Sequence, residues 1–256
     1  MLAVARKDKI MSLLQAHQNA TVAELSDLCQ VSEVTIRQDL GQLADEGLLT
    51  RTHGGATLSE RGSRELTLLA RERMSAPAKQ RIGETAAALL RSGDSIIVDA
   101  SSTALYVVRA LLRRHDLQDM TIITNSLFAA LELVNRPDIT TIVTGGFLRM
   151  TAVSLTGSFA WDMLARINAR RGFFGTRGIS VEQGLTDVNV QEANLKMKMI
   201  ERCQEVIAVA DGSKFGEVSL VSFAPIEKVQ RIITDTGAPV HAVSELRARG
   251  VDVMLA

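Results

Sequence analysis

VSEVTIRQDL, Val31 to Leu40, is the stretch on which the fold turns. Ser32 can cap a helix, and Ile36, Leu40 and Leu43 stand at i, i+4 and i+7, so that helix has one apolar face. Its first turns show a different set outward: Ser32, Glu33, Thr35, Arg37 and Gln38. Arginine can bond guanine O6 and N7 together, and glutamine can do the same with adenine N6 and N7. Such a face suits a DNA major groove. It also suits a solvated helix of an ordinary packing module, so the neighbouring residues must decide.

Upstream, Ile10, Leu13 and Leu14 repeat at helical spacing and predict a helix over residues 6–16. Thr21 with Glu24 three residues on forms a capping box for a second helix, whose buried side is Leu25 and Leu28. A short break, Cys29-Gln30-Val31, follows, with Gln30 where such a turn usually has glycine. Downstream, Gly47 is expected to stop the third helix. Residues 48–51 read as a strand, and His53-Gly54-Gly55-Ala56 as a tight hairpin turn. This spacing predicts a helix-turn-helix followed by a wing. The second helix would cross the DNA backbone, and the third would enter the major groove by its N-terminal end. Ser32, Thr35 and Arg51 can equally hold phosphates, which position a protein without reading sequence.

Bulk charge gives this reading no help. The chain of 256 residues is 46% hydrophobic and 23% charged, with zero formal net charge. Residues 1–57 hold five Lys/Arg against seven Asp/Glu, so DNA affinity must come from where the charges sit. The neighbouring stretch 57–81 is basic by three, with Arg61, Arg64, Arg71, Arg73, Lys79 and Arg81 against Glu60, Glu65 and Glu72. It reads as a solvated linker that can also touch phosphates or join protomers. Cys29 and Cys203 lie far apart, which suggests a reducing compartment and no disulfide framework. No paired-ligand spacing suggests a metal site, and no cofactor is expected. Arg6, Lys7, Asp8 and Lys9 interrupt the N-terminus where a signal peptide needs an apolar core. No apolar run approaches the roughly 18 residues of a membrane span, so the expected location is cytoplasmic, away from membranes.

The pattern changes near Pro77. Apolar runs at 95–99, 121–124, 141–144, 171–175, 206–210, 231–234 and 251–255 alternate with helical stretches at 79–90, 103–113, 126–134, 157–167 and 190–203. This predicts an α/β domain with a mainly parallel sheet. Ligands bind at the carboxyl ends of such strands. Those ends read Asp99-Ala100-Ser101-Ser102-Thr103, Thr124-Asn125-Ser126, Thr144-Gly145-Gly146 with Arg149 close behind, Gly175-Thr176-Arg177-Gly178, and Asp211-Gly212-Ser213-Lys214. Any one such loop is ordinary turn chemistry. Five on one edge, with cations among them, suit an anionic polar small molecule.

The ordered matches Val31, Ser32, Thr35, Ile36, Arg37, Asp39 and Leu40, then Leu49, Arg51, His53, Gly54, Gly55 and Ala56, give V-S-x-x-T-I-R-x-D-L and L-x-R-x-H-G-G-A. This resembles the N-terminal signature of the DeoR family of bacterial transcriptional regulators. The likeness extends over nearly the whole chain. Asp99 to Thr103 is similar to the family's D-A-G-T-T loop, with Ser101 in place of the glycine. Thr124-Asn125 matches its T-N, Gly145-Gly146 its G-G, Glu192 and Lys196 its E-x-x-x-K, and Asp211, Ser213, Lys214 and Phe215 its D-x-S-K-F. Gln38 stands where the family often has a second arginine. Arg170-Arg171-Gly172 stands where D-K-A is common, so an acid gives way to arginine. That exchange alters the ligand's preferred charge if the position faces the pocket, and means nothing if it faces solvent.

The resemblance implies a winged helix-turn-helix over 1–57, a linker over 58–76, and over 77–256 an α/β effector domain similar to the sugar-phosphate isomerase fold. The expected DNA-facing residues are Ser32, Glu33, Thr35, Arg37, Gln38, Arg51 and His53. The expected effector-facing residues are Asp99, Ser102, Thr103, Asn125, Gly145, Gly146, Arg149, Glu192, Lys196 and Lys214. The function implied is a regulator without catalysis, a repressor of a carbohydrate operon that binds a double-stranded operator. A sugar phosphate or related metabolite would modulate it, and the protein would be a homodimer or homotetramer. The competing reading is an isomerase-like enzyme with an accessory N-terminal module, using Glu192 as base and Lys214 as cation. A protein-interaction scaffold is a third, and leaves the placement of Arg37 and Arg51 unexplained.

Overall fold

The computed structural model describes residues 3–45, 48–58 and 66–256. The chain divides into two compact units, Met1–Arg71 and Glu72–Ala256. The first contains α1 (Ala3–His17), β1 (Asn19–Thr21), α2 (Val22–Cys29), α3 (Glu33–Asp45), β2 (Leu49–Thr52) and β3 (Gly55–Leu58). Its core is the apolar pattern of the sequence made solid. Ile10 and Leu14 of α1, Leu25 and Cys29 of α2, and Ile36, Leu40 and Leu43 of α3 are all buried, each large side chain worth about 1.5–3 kcal/mol. Arg6 on α1 grips Asp39 on α3 through Nη2 to Oδ1 at 3.1 Å and Nε to Oδ2 at 2.5 Å. The signature's aspartate is therefore turned inward, where it fixes α3 against α1.

Local chemistry sets the helix ends. Thr21 and Glu24 form the reciprocal capping box: Glu24 N–H donates to Thr21 Oγ1 at 3.2 Å, and Thr21 N–H to Glu24 Oε2 at 2.8 Å. At the other end of α2, Gln30 takes the left-handed conformation (φ 55°) that the missing glycine would have taken. That costs about 1–2 kcal/mol, offset in part by its Nε2 donating to Asp27 O at 2.7 Å. Thr52 pairs with Gly55 across a two-residue hairpin of His53 and Gly54. The hairpin gains a third strand, β1, that the sequence reading treated as loop, giving the order β1-β3-β2. A Cβ on Gly55 would sit 2.1 Å from Ala20 O, so this close approach needs glycine. Gly47, expected to stop α3, and Glu60, Arg61, Arg64 and Glu65 of the basic stretch lie outside the described residues.

Helix α4 (Leu68–Arg73), within the stretch read as a linker, buries Leu68 and Ala70. The second unit continues with α5 (Ala76–Ala88), β4 (Ser95–Val98), α6 (Ser102–Leu112), β5 (Met120–Thr124), α7 (Leu127–Leu133), β6 (Ile139–Val143), β7 (Phe147–Arg149), β8 (Ser154–Thr156), α8 (Ser158–Leu164) and β9 (Ala169–Phe174). It ends with β10 (Gly178–Ser180), β11 (Gly184–Asp187), α9 (Val190–Ile200), β12 (Cys203–Val209), β13 (Val221–Ala224), β14 (Arg231–Thr234), α10 (Val240–Ala248) and β15 (Asp252–Leu255).

Seven strands form a parallel sheet in the order β15-β14-β12-β9-β4-β5-β6. Alternation splits their side chains. Ile97, Ile123, Phe174 and Ala208 pack with α8, α9 and α10, while Ile96, Val98, Ile122 and Phe173 pack with α5, α6 and α7. The result is a three-layer sandwich. The helix expected over 190–203 stops at Ile200, because Cys203 already begins β12. The hairpin β7–β8 and the antiparallel sheet β10-β11-β13 were not expected from the sequence.

The chain builds outward from β4 to β5 and β6, then lays β9 on the other side of β4 and builds outward again. The crevice between the carboxyl ends of β4 and β9 is thus the topological switch point, where open parallel sheets bind ligands. At the amino-terminal side an ion ladder ties five strands together. Arg171 bonds Asp94 at 2.5 Å and Glu205 at 2.9 Å, and Arg231 bonds Glu205 at 2.9 Å and Asp252 at 2.8 Å. Arg170 lies 3.4 Å from Asp94, its side chain half exposed. The Arg170-Arg171 pair therefore stands at the opposite end of the sheet from the switch point.

The first residues of this unit are pinned by two cations. Arg109 on α6 reaches Glu72 Oε1 at 2.6 Å and Glu132 Oε1 on α7 at 2.8 Å. Lys79 on α5, buried, donates to Met74 O at 2.6 Å.

Candidate DNA-reading face and effector site

Helix α3 begins with Ser32 as its cap: Thr35 N–H donates to Ser32 Oγ at 3.3 Å, and the two hydroxyls lie 3.0 Å apart. Glu33, Val34, Arg37 and Gln38 are exposed on one side, opposite buried Ile36 and Leu40. Arg37 is engaged by Glu33 one turn back at 2.6 Å, with both side chains about half in water. Such a pair is worth about 0.2–1 kcal/mol, so Arg37 can exchange Glu33 for a base edge or phosphate at little cost. Arg51 on β2 extends over α3, and a Cβ on Gly41 would lie 3.8 Å from its Nη1. His53 is exposed in the hairpin turn. The sequence reading passed over Val34, an apolar side chain 63% exposed among polar ones. An apolar contact of that kind suits a thymine methyl. Its signal was already in the sequence, an apolar residue on the wrong face of an amphipathic helix.

At the switch point the ten residues expected to face an effector separate by what they touch. Asp99 closes the crevice. Both of its oxygens share the Gly175 N–H at 3.2 Å, and Ser101 N–H is a second donor at 3.2 Å. Lys196 reaches across from α9 to Asp187 at 2.7 Å, Gly175 O at 2.8 Å and Asp99 at 3.0 Å. Two of these contacts are hydrogen bonds, to Asp187 and Gly175, and the third is an ion pair. Burial alone would push the Lys196 ammonium below its ordinary value, but Asp187 and Asp99 outweigh it and hold it well above. Burial likewise works against the Asp187 carboxylate, and Lys196 and Arg177 overcome that and keep it below the usual range. Lys196 and Asp99 thus brace the crevice from inside. Gly146 (φ 122°) is also structural: a Cβ there would fall 2.4 Å from Thr156 O, so the glycine lets β8 close against the loop.

Other residues line more open ground. Ser102 and Thr103 are the first residues of α6, whose cap Ser101 accepts from Ala104 N–H at 3.1 Å. The first N–H groups of a helix have no partner inside it. Asn125 is buried, its Nδ2 donates to Leu155 O at 3.3 Å, and its Oδ1 has no partner among the described residues. Gly145 (φ 69°) faces open space. Glu192, buried at the start of α9, accepts from Ser154 Oγ and lies 3.4 Å from Arg149 Nη1. Lys214 sits on a short 3-10 turn after β12 and donates to Ser213 Oγ at 3.0 Å. Burial opposes the Asp211 carboxylate beside it, yet Lys214, Ser213 and Lys79 together keep it below the ordinary range. From β12 to β5 is three strand spacings, about 14 Å. Lys214 and Asn125 therefore flank the crevice from two sides.

Arg177, directly after β9, was noticed as a loop cation but left out of the expected site. Burial lowers its pKa from the ordinary arginine value; Arg149 lowers it further, while Asp187 and Glu192 oppose. Arg149 and Arg177 both belong to loops at the carboxyl edge of the sheet, Arg149 after β6 and Arg177 after β9. Among the described residues no group of His, Cys, Asp and Glu is arranged to hold a metal ion, and no helix is long and apolar enough to cross a membrane.

Two family models match the chain. The DeoR-like helix-turn-helix domain covers residues 6–61, and the DeoR C terminal sensor domain covers residues 74–236. The HTH-type transcriptional regulator YulB of Bacillus subtilis is 38% identical over 253 residues, 99% of this chain and 96% of that protein. GolR of Listeria innocua, also an HTH-type transcriptional regulator, is 33% identical over the full length of both chains. The glycerol-3-phosphate regulon repressor of Escherichia coli is 30% identical over 98% of each. Among solved structures, ribose 5-phosphate isomerase A of Methanocaldococcus jannaschii aligns over 54% of this chain and 53% of its own, with 17% identity and a TM-score of 0.40. That partial likeness says nothing about chemistry. The matched models and the full-length relatives agree, and the chain belongs to the DeoR family of helix-turn-helix transcriptional regulators.

Proposed function

We propose that this protein represses an operon of carbohydrate metabolism by binding its operator through α3, and that a phosphorylated sugar or related metabolite at the switch-point edge releases it. The outward face of α3 carries the DNA half of this reading. It offers Arg37 and Gln38 as base readers and Val34 as a methyl contact, with Ser32, Thr35, Arg51 and His53 placed for phosphates. The effector half is supported by Arg149 and Arg177, cations of the carboxyl-end loops, together with the N–H groups at the start of α6 and the unpartnered Asn125 Oδ1. The relatives' names agree, since they include the glycerol-3-phosphate regulon repressor and the aga operon repressor. Glu192, the candidate base of an isomerase, is instead held by Ser154 and Arg149.

The mechanism is linkage. An effector that prefers the conformation unable to bind DNA lowers operator affinity by its differential binding energy, typically about 1–3 kcal/mol. Fluorescence anisotropy tests this, with DNA from upstream of the protein's own gene and its neighbours, at two salt concentrations, with and without a panel of sugar phosphates. The expected result is sequence-selective binding released by one phosphorylated compound, with Arg149→Ala and Lys214→Ala blunting release while sparing DNA affinity. Absence of salt-dependent DNA binding, or turnover of a sugar phosphate abolished by Glu192→Ala, would overturn the reading.

A further inference from the structure

β6 is the outermost strand on one side of the parallel sheet. Its sequence, Ile139-Thr140-Thr141-Ile142-Val143, contains no charge and no proline, the usual protections of an open edge. Exposed apolar side chains flank it on both faces. From α7 come Leu131 and Val134, 67% and 73% exposed. On the other side Phe147 and Phe159, 66% and 68% exposed, meet with ring centroids 5.7 Å apart. Beside those rings, Ile142 and Met163 floor a groove of about 530 Å³. Asp162 on α8 and Arg166 in the turn that follows it, both exposed, stand on the same groove, and neither has an ion-pair partner among the described residues.

We propose that this edge docks a second copy of the chain about a two-fold axis, seating Phe147 and Phe159 of each copy against the groove of the other and setting Asp162 of one opposite Arg166 of its partner. A contact between identical patches must be self-complementary. Here an aromatic ridge adjoins a groove, and one acid adjoins one base, so the patch supplies both halves of its own match. A partner of different sequence would need neither balance. The proposal rests on the DNA reading in one respect: half-sites on an operator need two α3 helices, hence two copies.

The test is sedimentation velocity of the full-length protein over a wide concentration range, with Trp161 fluorescence to check folding. Wild type is expected to dimerise or form a higher even assembly. Phe159→Asp is expected to raise the dissociation constant roughly a hundredfold or more, as loss of a central aromatic anchor does. Asp162→Arg and Arg166→Asp should each weaken association about tenfold, and the double variant should restore it. The charge cycle uses two exposed positions, so it decides the matter even if Phe159→Asp folds poorly. A monomeric wild type, or variants with unchanged association, would overturn the proposal. Its failure is distinguishable from failure of the DNA reading. A protein that dimerises through this edge but binds no operator refutes only the latter, and one that binds operator as a dimer indifferent to Phe159 and to the charge cycle refutes only the former.

Discussion

Replacing Lys196 by methionine separates two roles that look alike in a sequence. As a ligand-binding cation, Lys196 would cost only effector response when removed. In this structure it stands within 3.0 Å of two carboxylates and one carbonyl, all inside the protein. Methionine keeps most of the stem's volume, so the loss is chiefly electrostatic: Asp99 and Asp187 remain buried with their shared cation gone. Breaking a buried pair in this way costs about 3–5 kcal/mol, a large part of the 5–15 kcal/mol that stabilises a typical domain. With urea slopes of about 1–3 kcal/mol/M, the midpoint should fall by roughly 1–5 M. Trp161, the single tryptophan, lies on α8 of the sensor unit and reports its unfolding. The pH dependence should also change. In wild type the lowered pKa of Asp187 contributes stability that is present above its ordinary value of 3.8 and lost as pH falls below it. In the variant, Lys196 no longer opposes burial at that carboxyl, and with Arg177 and the Asn189 N–H left against it the pKa rises above its wild-type position. The variant's deficit should therefore shrink as pH falls from neutrality towards about 4, the ordinary carboxylate range. An unchanged urea midpoint combined with a lost effector response would refute the reasoning and make Lys196 a ligand contact.

Three further outcomes are expected. Arg37→Ala should cost about 1–3 kcal/mol on the true operator and relax base preference; equal loss on every sequence, measured by anisotropy, would make Arg37 a phosphate contact. Val34→Ser should reduce discrimination at a single T·A position and leave the salt dependence of binding intact, and a changed salt slope would refute the methyl contact. Burial pushes the Cys203 thiol up to about 12 from 9.0, so native protein in mildly alkaline buffer should resist alkylation there while unfolded protein reacts. This group's stabilising contribution is present below 9.0 and lost as pH rises between the two values. Mass spectrometry of the alkylated protein reads the site directly, and rapid native labelling of Cys203 would contradict its burial.

Much of the DNA-reading unit was legible because its signals are local. The Thr21–Glu24 box, the Ser32 cap and the spacing of Ile36, Leu40 and Leu43 each act within about one or two helical turns. β1 escaped because three residues with no pattern of their own become a strand only by pairing with β3. The small sheet β10-β11-β13 escaped for the same reason. In the sensor unit the carboxyl-end loops were found, but their charges could not be sorted. Lys196 and Lys214 are both lysines behind a strand or on a helix, and only burial tells the brace from the open cation. The Arg170-Arg171 exchange, open between pocket and solvent in the sequence, stands at the far end of the sheet beside Asp94, a placement that depends on strand order. Arg177 was visible as a residue, while its closeness to Arg149 depends on how β7–β8 folds back.

Helix α6 has two ends with different duties. Ser102 and Thr103 open it at the switch point, and seven residues on from Ser102, roughly 10 Å along the axis, Arg109 holds Glu72, the first residue of the sensor unit. A rigid helix cannot move one end and leave the other behind. A compound that drew α6 along its own axis would carry the Arg109–Glu72 anchor with it. The same rod works in reverse. An operator that favours one setting of that anchor changes the affinity at the switch point by the same factor by which the compound changes affinity for DNA, so the protein's sensitivity to its metabolite would depend on whether it is sitting on its gene.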